Sequence, residues 1–295
     1  MSTIAFIGLG NMGVGMAGNL AKAGHDVRAF DLSDDALASA VKIGCVAVDN
    51  IQDAVKSADV IVTMLPAGQH VKAVYGGPSG VFENAKAGAL MIDSSTIDVA
   101  DARDVISRAI SKGFEMIDAP VSGGVGGAAN GTLTFMCGGT PKAYDQAKPF
   151  LDIMGKNIFH AGDAGNGQVA KVCNNMLLGI HMIGTCEAFN LAEKLGLDAQ
   201  TFYDISSTAS GQNWSMTSYC PAPGPVETAP SNRNYEPGFA AGMMLKDLRL
   251  AQSAATKAKA AIPLGAQSEA IYALMEAAGQ DGLDFSGVMK LINGS

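Results

Sequence analysis

A glycine-rich segment near the start of the chain has the composition and context of a dinucleotide-binding turn. Glycines occupy the first, third and sixth positions of Gly8-Leu9-Gly10-Asn11-Met12-Gly13, between a strand pattern at 4–7 and a helix pattern at 12–23. The first glycine permits a tight turn, the second lets the backbone approach a pyrophosphate, and the third allows close packing of helix on strand. An anion then lies on the N–H groups of the helix N-terminus. The candidate cofactor-binding residues are Gly8, Gly10, Asn11, Met12 and Gly13.

An acidic residue completes this pattern. Asp31 ends the second strand pattern, 27–31, about 20 residues after the glycines, where a ribose-binding carboxylate belongs. A carboxylate there accepts hydrogen bonds from the ribose 2′-OH and repels a 2′-phosphate, so NAD is favoured over NADP. Arg28 is three residues upstream on the strand. The alternative interpretation is a glycine-rich turn with a surface aspartate.

A second glycine-rich segment follows a strand pattern at 115–119. Ser122 and the N–H groups of Gly123 and Gly124 could form a nest for a carboxylate. The segment lies at the expected carboxyl edge of the sheet, where doubly wound folds bind ligands. A flexible loop with many turns explains the same residues equally well.

A third group of residues lies on a long helix pattern at 168–195. Gly167, Lys171 and Asn175 are spaced i, i+4, i+8 and therefore share one face. Lysine and asparagine are costly to bury on so apolar a helix unless they are partnered or functional. Gly167 would also remove a side chain where a ligand could pack. The alternative is a solvated surface lysine, which is the usual case.

The pair Lys246-Asp247 lies on a later helix pattern at 240–260. By itself it says little, because such a pair is most often a weak surface ion pair. Its meaning depends on the rest of the chain.

The elements that must position these residues fall into two regions. Up to about residue 162, strand and helix patterns alternate, which predicts βαβ units and a parallel sheet with helices on both faces. Strand patterns at 132–138 and 157–161 are expected to close that sheet. Beyond them the patterns are helical, with further helices at 199–207 and 263–279 and an irregular proline- and glycine-rich stretch at 220–238. We expect an N-terminal Rossmann-type α/β domain at 1–163 and an all-helical C-terminal domain at 164–295, which begins with the long helix.

Composition excludes several classes of function. The formal net charge is −8 without blocks of like charge, so we expect neither nucleic acid nor a membrane surface as partner. The five cysteines and four histidines show no metal-ligand spacing, and the odd cysteine count argues against a disulfide framework. Because the first strand pattern begins almost at Met1, we expect no targeting peptide, and no apolar run approaches the ~20 residues that span a bilayer. We expect a reduced, cytoplasmic enzyme without metal.

Taken together, these motifs make the chain resemble the β-hydroxyacid dehydrogenase family. The matching segments cover nearly the whole chain and stand in family order: Phe6–Gly13, Asp118–Gly124, Gly165–Asn175 and Lys246-Asp247. Four motifs together are far more specific than any one of them. Within the family, Trp214, the 220–238 segment and Asp284-Phe285-Ser286 resemble the branch that acts on 3-hydroxyisobutyrate.

The resemblance implies an active site between a Rossmann-type domain and a helical domain that commonly mediates oligomerisation. It implies that Lys171 is the catalytic lysine, that Asn175 orients the substrate or the lysine, and that Ser122, Gly123 and Gly124 hold a substrate carboxylate. By the same resemblance, Leu65, Pro66 and Thr96 line the cofactor site and Lys246 lies near the nicotinamide. A homodimer or homotetramer is expected.

The implied reaction is NAD-dependent oxidation of a small 3-hydroxy acid, with 3-hydroxyisobutyrate giving methylmalonate semialdehyde in valine breakdown. Lysine ordinarily titrates near ~10.4, so a base role near neutrality requires a lowered pKa. Relatives acting on serine, tartronate semialdehyde or succinic semialdehyde share the four motifs. A non-enzymatic dinucleotide sensor on the same fold would be free to lose the lysine that is present here, and an imine reductase would be expected to replace it.

Overall fold

The computed structural model describes residues 1–294. Contacts between residues divide the chain into two compact units, the first ending at Lys171 and the second beginning at Val172. The domain boundary expected at 163/164 stays a prediction. Each unit is described by itself below.

The first unit contains a six-stranded sheet in which every neighbouring pair is parallel. Four of these strands are almost continuously apolar and buried, as strands covered on both faces must be. The strands are β1 (Thr3–Ile7), β2 (Asp26–Phe30), β3 (Val46–Ala47), β4 (Val60–Thr63), β5 (Leu90–Asp93) and β6 (Glu115–Asp118), in the spatial order β3-β2-β1-β4-β5-β6.

Helices cover both faces of this sheet. Side chains alternate along β1, so that Ile4 and Phe6 enter one hydrophobic cluster while Ala5 and Ile7 enter another. The first cluster is completed by α1 (Gly13–Lys22), α2 (Asp34–Lys42), α7 (Gly124–Asn130) and α8 (Pro141–Met154). The second is completed by α3 (Ile51–Val55), α4 (Gly68–Gly76), α5 (Val81–Asn84) and α6 (Val99–Ser111). The Rossmann-type doubly wound sheet is thereby confirmed.

One expectation about the sheet is wrong. The strand patterns at 132–138 and 157–161 become β8 (Leu133–Cys137) and β9 (Gly155–His160), but these do not extend the parallel sheet. They form a second, three-stranded sheet with the short strand β7 (Val121–Ser122), which pairs antiparallel with β8. The reason is local: the chain leaves β6 at Asp118 and passes Pro120, which has no amide hydrogen to continue a ladder.

The second unit is helical, as predicted. Its helices are the part of α9 (Asn166–Lys194) that follows the unit boundary, then α10 (Ala199–Ser206), α11 (Trp214–Thr217), α12 (Ala241–Ala258), α13 (Pro263–Ala277) and α14 (Val288–Asn293). The long helix agrees closely with the 168–195 pattern and ends before Gly196, which adopts a φ of 89°. No helix among residues 1–294 is long and apolar enough to cross a membrane.

A buried carboxylate organises the irregular 220–238 stretch, which contains one 3-10 turn at Pro230–Arg233. Asp284 is fully buried, and its Oδ2 accepts hydrogen bonds from the Tyr219 hydroxyl at 2.9 Å and from the N–H groups of Gly238 and Phe239. Its Oδ1 accepts from the N–H and hydroxyl of Ser286. Five donors therefore satisfy this carboxylate, and the end of the chain is tied to the segment before α12.

Candidate active site

The glycine-rich turn between β1 and α1 has the geometry that a dinucleotide requires. Gly8 has a φ of 96°, in the left-handed region that favours glycine, and a Cβ there would collide with the Met64 carbonyl oxygen. A Cβ on Gly13 would collide with the Gly8 carbonyl oxygen, so this glycine allows the helix to pack on the turn. Gly10 faces open space, which leaves room for a group against the backbone. The turn therefore fits a bound dinucleotide.

Asp31 is fixed directly beside this turn. Its Oδ2 accepts the Leu9 N–H at 2.6 Å and its Oδ1 accepts the Ser33 N–H at 2.9 Å. Arg28 is engaged elsewhere, donating to the Ser57 hydroxyl at 2.7 Å and lying 3.5 Å from the Asp26 carboxylate. The charge next to the turn is therefore negative.

The residues expected to line the cofactor lie at the point where the strand order reverses. The chain proceeds from β1 outward to β3 on one side and from β4 outward to β6 on the other. Ligands bind at such a switch point in doubly wound folds. Gly8 follows β1, and Leu65 and Pro66 follow β4, with the Leu65 side chain lying 3.0 Å from where a Gly8 Cβ would be.

A hydrogen-bonded chain joins the loops after β4 and β5. The Leu65 N–H donates to the Ser95 hydroxyl oxygen at 2.8 Å, and that hydroxyl donates to Asp93 at 2.6 Å. Asp93 is buried and also accepts from the Thr63 hydroxyl at 2.8 Å. Burial raises the pKa of the Asp93 carboxyl, while these hydrogen bonds oppose the rise. Thr96, the remaining cofactor candidate of the first unit, follows Ser95 directly.

The N-terminus of α9 is held by Asp118 at the end of β6. Its Oδ1 accepts the Gly165 N–H at 2.7 Å and its Oδ2 accepts the Gln168 N–H at 2.8 Å. The first N–H groups of a helix have no partner within the helix, so a carboxylate there is doubly favourable. Burial nevertheless dominates and raises the pKa of Asp118 to about 6.

Lys171 and Asn175 are buried on α9, one turn apart. Lys171 is 7% exposed and Asn175 is 2% exposed, so the interpretation of Lys171 as a solvated surface residue is wrong. Asn175 is held at both ends of its amide, because its Nδ2 donates to Asp247 at 2.5 Å and its Oδ1 accepts from Asn174 at 2.9 Å. Polar groups buried this deeply and held this firmly are typical of a functional site.

The pair Lys246-Asp247 is not a simple surface pair. The Asp247 side chain is buried, and only the Lys246 side chain is partly exposed. The Lys246 Nζ lies 3.6 Å from Asp247 Oδ1, while Asp247 Oδ2 is bound by Asn175. A signal for this existed, because Asp247 falls within the inward stripe of α12 beside Met244 and Leu248.

Ser122, Gly123 and Gly124 lie where β7 passes into α7. Gly123 has a φ of 132° and Gly124 a φ of 62°, so both glycines are in the region that other residues avoid. The alternative interpretation of a flexible loop is wrong for the residues that follow, because they form the seven-residue helix α7. The structure thus places these residues, the glycine-rich turn, Asp31 and Lys171 in the first unit, and Asn175 and Lys246 in the second.

The role expected for Gly167 is also corrected. A Cβ there would collide with the Met136 carbonyl oxygen and lie 2.7 Å from the Asp118 carboxylate. The glycine therefore lets α9 pack on the strand ends and leaves no ligand surface. The sequence analysis assigned no individual role to Asp118, Ser95 or Gln168, although an acidic residue ending an apolar strand was a visible signal. Among residues 1–294 no group of histidine, cysteine and acidic side chains could hold a metal ion.

The fold and the glycine-rich turn define a dinucleotide-binding protein, and comparison with known proteins makes the class specific. Residues 3–162 match the family described as the NAD binding domain of 6-phosphogluconate dehydrogenase. Residues 165–292 match the family described as NAD-binding of NADP-dependent 3-hydroxyisobutyrate dehydrogenase. The two matches together cover nearly the whole chain.

Full-length relatives agree. A 3-hydroxyisobutyrate dehydrogenase of Pseudomonas aeruginosa is 47% identical, with 100% of this chain and 99% of the relative covered. An NAD-dependent L-serine dehydrogenase of the same organism is also 47% identical, over 99% of this chain and 98% of the relative. A solved Mycobacterium tuberculosis 3-hydroxyisobutyrate dehydrogenase with L-serine has a TM-score of 0.94 at 48% identity, covering 99% of both chains. This chain belongs to the 3-hydroxyisobutyrate dehydrogenase family of NAD-dependent hydroxy acid dehydrogenases.

The raised pKa of Asp118 predicts a specific pH dependence of stability. The folded pKa of about 6 lies above the ordinary value of 3.8, so its stabilising contribution is full below pH ~3.8 and is lost as pH rises through ~6. The loss is on the order of 3 kcal/mol. Asp118→Asn, which does not titrate, should lack this slope when free energies of unfolding are measured in urea between pH 4 and 8. Asp145→Asn, an exposed position on α8, serves as control. Parallel pH curves for wild type and Asp118→Asn would contradict the assignment.

Proposed function

We propose that this enzyme oxidises a small 3-hydroxy acid, with 3-hydroxyisobutyrate as substrate and methylmalonate semialdehyde as product in valine breakdown. The observation that carries the proposal is the burial of Lys171 and Asn175 together on one face of α9. A sensor protein would have no need to bury a lysine there. L-Serine is the second candidate, because one relative is named an L-serine dehydrogenase and another was solved with L-serine.

Lys171 is the proton-transfer group of the proposed reaction. When bound, NAD supplies the acceptor for a hydride. As the carbon–hydrogen bond of the alcohol breaks and the carbonyl forms, the neutral Lys171 amine takes the hydroxyl proton. In the reverse direction the Lys171 ammonium returns that proton to the forming alkoxide. Asn175, held by Asp247, orients the substrate or the lysine.

The substrate carboxylate is assigned to Ser122, Gly123 and Gly124. The two glycines, both with positive φ, form a turn whose successive backbone N–H groups can line an anion-binding nest. A serine hydroxyl beside them adds a further donor. Leu65, Pro66, Thr96 and Lys246 are assigned to the cofactor together with Gly8, Gly10, Asn11, Met12, Gly13 and Asp31.

The chain is also proposed to form a homodimer or homotetramer in the cytoplasm. Leu177 and Leu191 on α9 and Leu195 directly after it are 51–78% exposed, which leaves apolar surface for a second copy. The five cysteines are free, as suits a reducing compartment. Light scattering at micromolar concentration should report an oligomer, and a monomer would contradict this.

The substrate assignment predicts the outcome of a panel of alcohols. With NAD, kcat/KM should be highest for 3-hydroxyisobutyrate, lower for L-serine, and lower by at least about tenfold for the methyl ester of 3-hydroxyisobutyrate, since a site built for an anion leaves buried donors unpaired with the ester. A higher value for L-serine would favour the second candidate. Comparable turnover of acid and ester would rule out the carboxylate site.

Replacing the proton-transfer group should abolish most turnover. Lys171→Met retains the length and the apolar stem, and kcat should fall by ~10²–10⁴-fold, the usual contribution of general acid–base catalysis. NADH affinity, measured by fluorescence titration, should stay within a few-fold of wild type. Lys194→Met, at the exposed far end of the same helix, should leave kcat unchanged. Retention of more than a tenth of wild-type kcat by Lys171→Met would show that another group moves the proton.

The negative charge beside the glycine-rich turn predicts a preference for NAD over NADP. Asp31→Asn removes that charge at nearly constant size, so the ratio of kcat/KM for NAD to that for NADP should fall toward one. Asp35→Asn, exposed in the first turn of α2, is a matched control that should leave the ratio unchanged. Equal kcat/KM for the two cofactors in the wild type would overturn the role of Asp31.

A further inference from the structure

Gln168 lies three residues before Lys171 on α9, and its side chain is completely buried. Both ends of its amide are engaged with one loop of the first unit. The Nε2 donates to the Ser95 carbonyl oxygen at 2.7 Å, and the Oε1 accepts the Ile97 N–H at 3.1 Å. The side chain therefore brackets Thr96, one of the residues assigned to the cofactor.

The main chain of Gln168 is fixed as firmly as its side chain. Its N–H donates to Asp118 at 2.8 Å, and the adjacent Gly167 packs against the same carboxylate and the Met136 carbonyl oxygen. Neither the start of α9 nor the amide can shift without breaking buried hydrogen bonds. Each buried donor or acceptor left unpaired costs about 1–3 kcal/mol, so the bridge has one preferred geometry.

The loop at the other end of the bridge is also fixed. Ser95 is bound through its hydroxyl to the Leu65 N–H and to Asp93, as described above. A continuous set of hydrogen bonds thus runs from the loop after β4, through the loop after β5, to the helix turn that precedes Lys171. Both loops carry residues assigned to the cofactor, and the helix carries the residue assigned to proton transfer.

We propose that Gln168 is a positioning residue for the reaction, which sets the position of Lys171 relative to the Ser95–Ile97 loop. The proposal rests on the role of Lys171 proposed above. The hydride leaves the alcohol carbon and the proton leaves the oxygen bonded to that carbon, so the groups that receive them must be held in one geometry. A displacement of about 1 Å from such a geometry can lower the rate by ~10²-fold.

Two variants of near-equal size separate this role from simple packing. Gln168→Met fills the space but makes neither hydrogen bond. Gln168→Glu presents an oxygen to the Ser95 carbonyl when it is ionised, but when protonated it can donate to Ser95 and accept from Ile97 as the amide does. Burial favours the protonated form. Lowering the pH should therefore restore the bridge in the Gln168→Glu variant alone.

The experiment measures single-turnover oxidation of 3-hydroxyisobutyrate, so that product release does not mask the chemical step. Gln168→Met should be 10- to 100-fold slower, with substrate KM and NADH dissociation constant within threefold of wild type. The rate of Gln168→Glu, divided by that of wild type at each pH, should rise from pH 9 to pH 6. Leu151→Ala, a buried position on α8, is a control for lost stability and should keep its rate.

Three results would overturn the proposal: a Gln168→Met rate within threefold of wild type, an equal loss of rate in Leu151→Ala, or a pH-independent ratio for Gln168→Glu. Lys171→Met in the same assay separates the two claims. An active Lys171→Met enzyme refutes the proposed role of Lys171, on which the role of Gln168 rests. An inactive Lys171→Met beside a fully active Gln168→Met refutes only the role of Gln168.

Discussion

The arrangement of α9 depends on the hydrogen bonds that the Asp118 carboxylate accepts. Asp118 ends a buried strand and accepts two N–H groups from the start of the helix, at 2.7 and 2.8 Å. The contact constrains its neighbours, because a Cβ on Gly138 or Gly167 would approach the same carboxylate to 2.5 and 2.7 Å. Both glycines are therefore required by packing around one buried carboxyl group, whose two oxygens accept the free N–H groups at the start of the helix.

Other buried polar groups follow the same rule. The Asp93 carboxylate accepts hydrogen bonds from the hydroxyl groups of Thr63 and Ser95, and the Asp284 carboxylate accepts five hydrogen bonds. Each carboxylate joins the end of one element to a neighbouring segment. A buried charge is tolerated when its lone pairs are satisfied, and breaking one partner is then strongly unfavourable. The loops that carry the candidate site are thus held by buried networks and do not depend on their own length or composition for rigidity.

The sequence predicted those parts of the structure in which apolar residues or glycines recur at a regular local spacing. Hydrophobic periodicity predicts strand β1 and the long helix α9, and glycine spacing predicts the turn at Gly8. The family resemblance adds the order in which the motifs occur. The second sheet was missed because pairing between β7 and β8 depends on a turn after Asp118 that no period reports. The partner of Gln168 at Ser95 was missed because 73 residues separate them, and no local pattern encodes such a contact.

The positions of the two candidate catalytic residues explain why α9 needs more than one anchor. A helix rises about 1.5 Å per residue, so Lys171 lies about 8 Å from the helix start and Asn175 about 14 Å. The hydrogen bonds of Asp118 and of the Gln168 side chain fix the first turn of α9, which directly precedes Lys171. Asn175 lies one turn further along the helix and has its own anchor, the Asp247 carboxylate on α12. The hydrogen bond from Asn175 thereby explains why Asp247 is buried, which the sequence around the Lys246-Asp247 pair did not reveal.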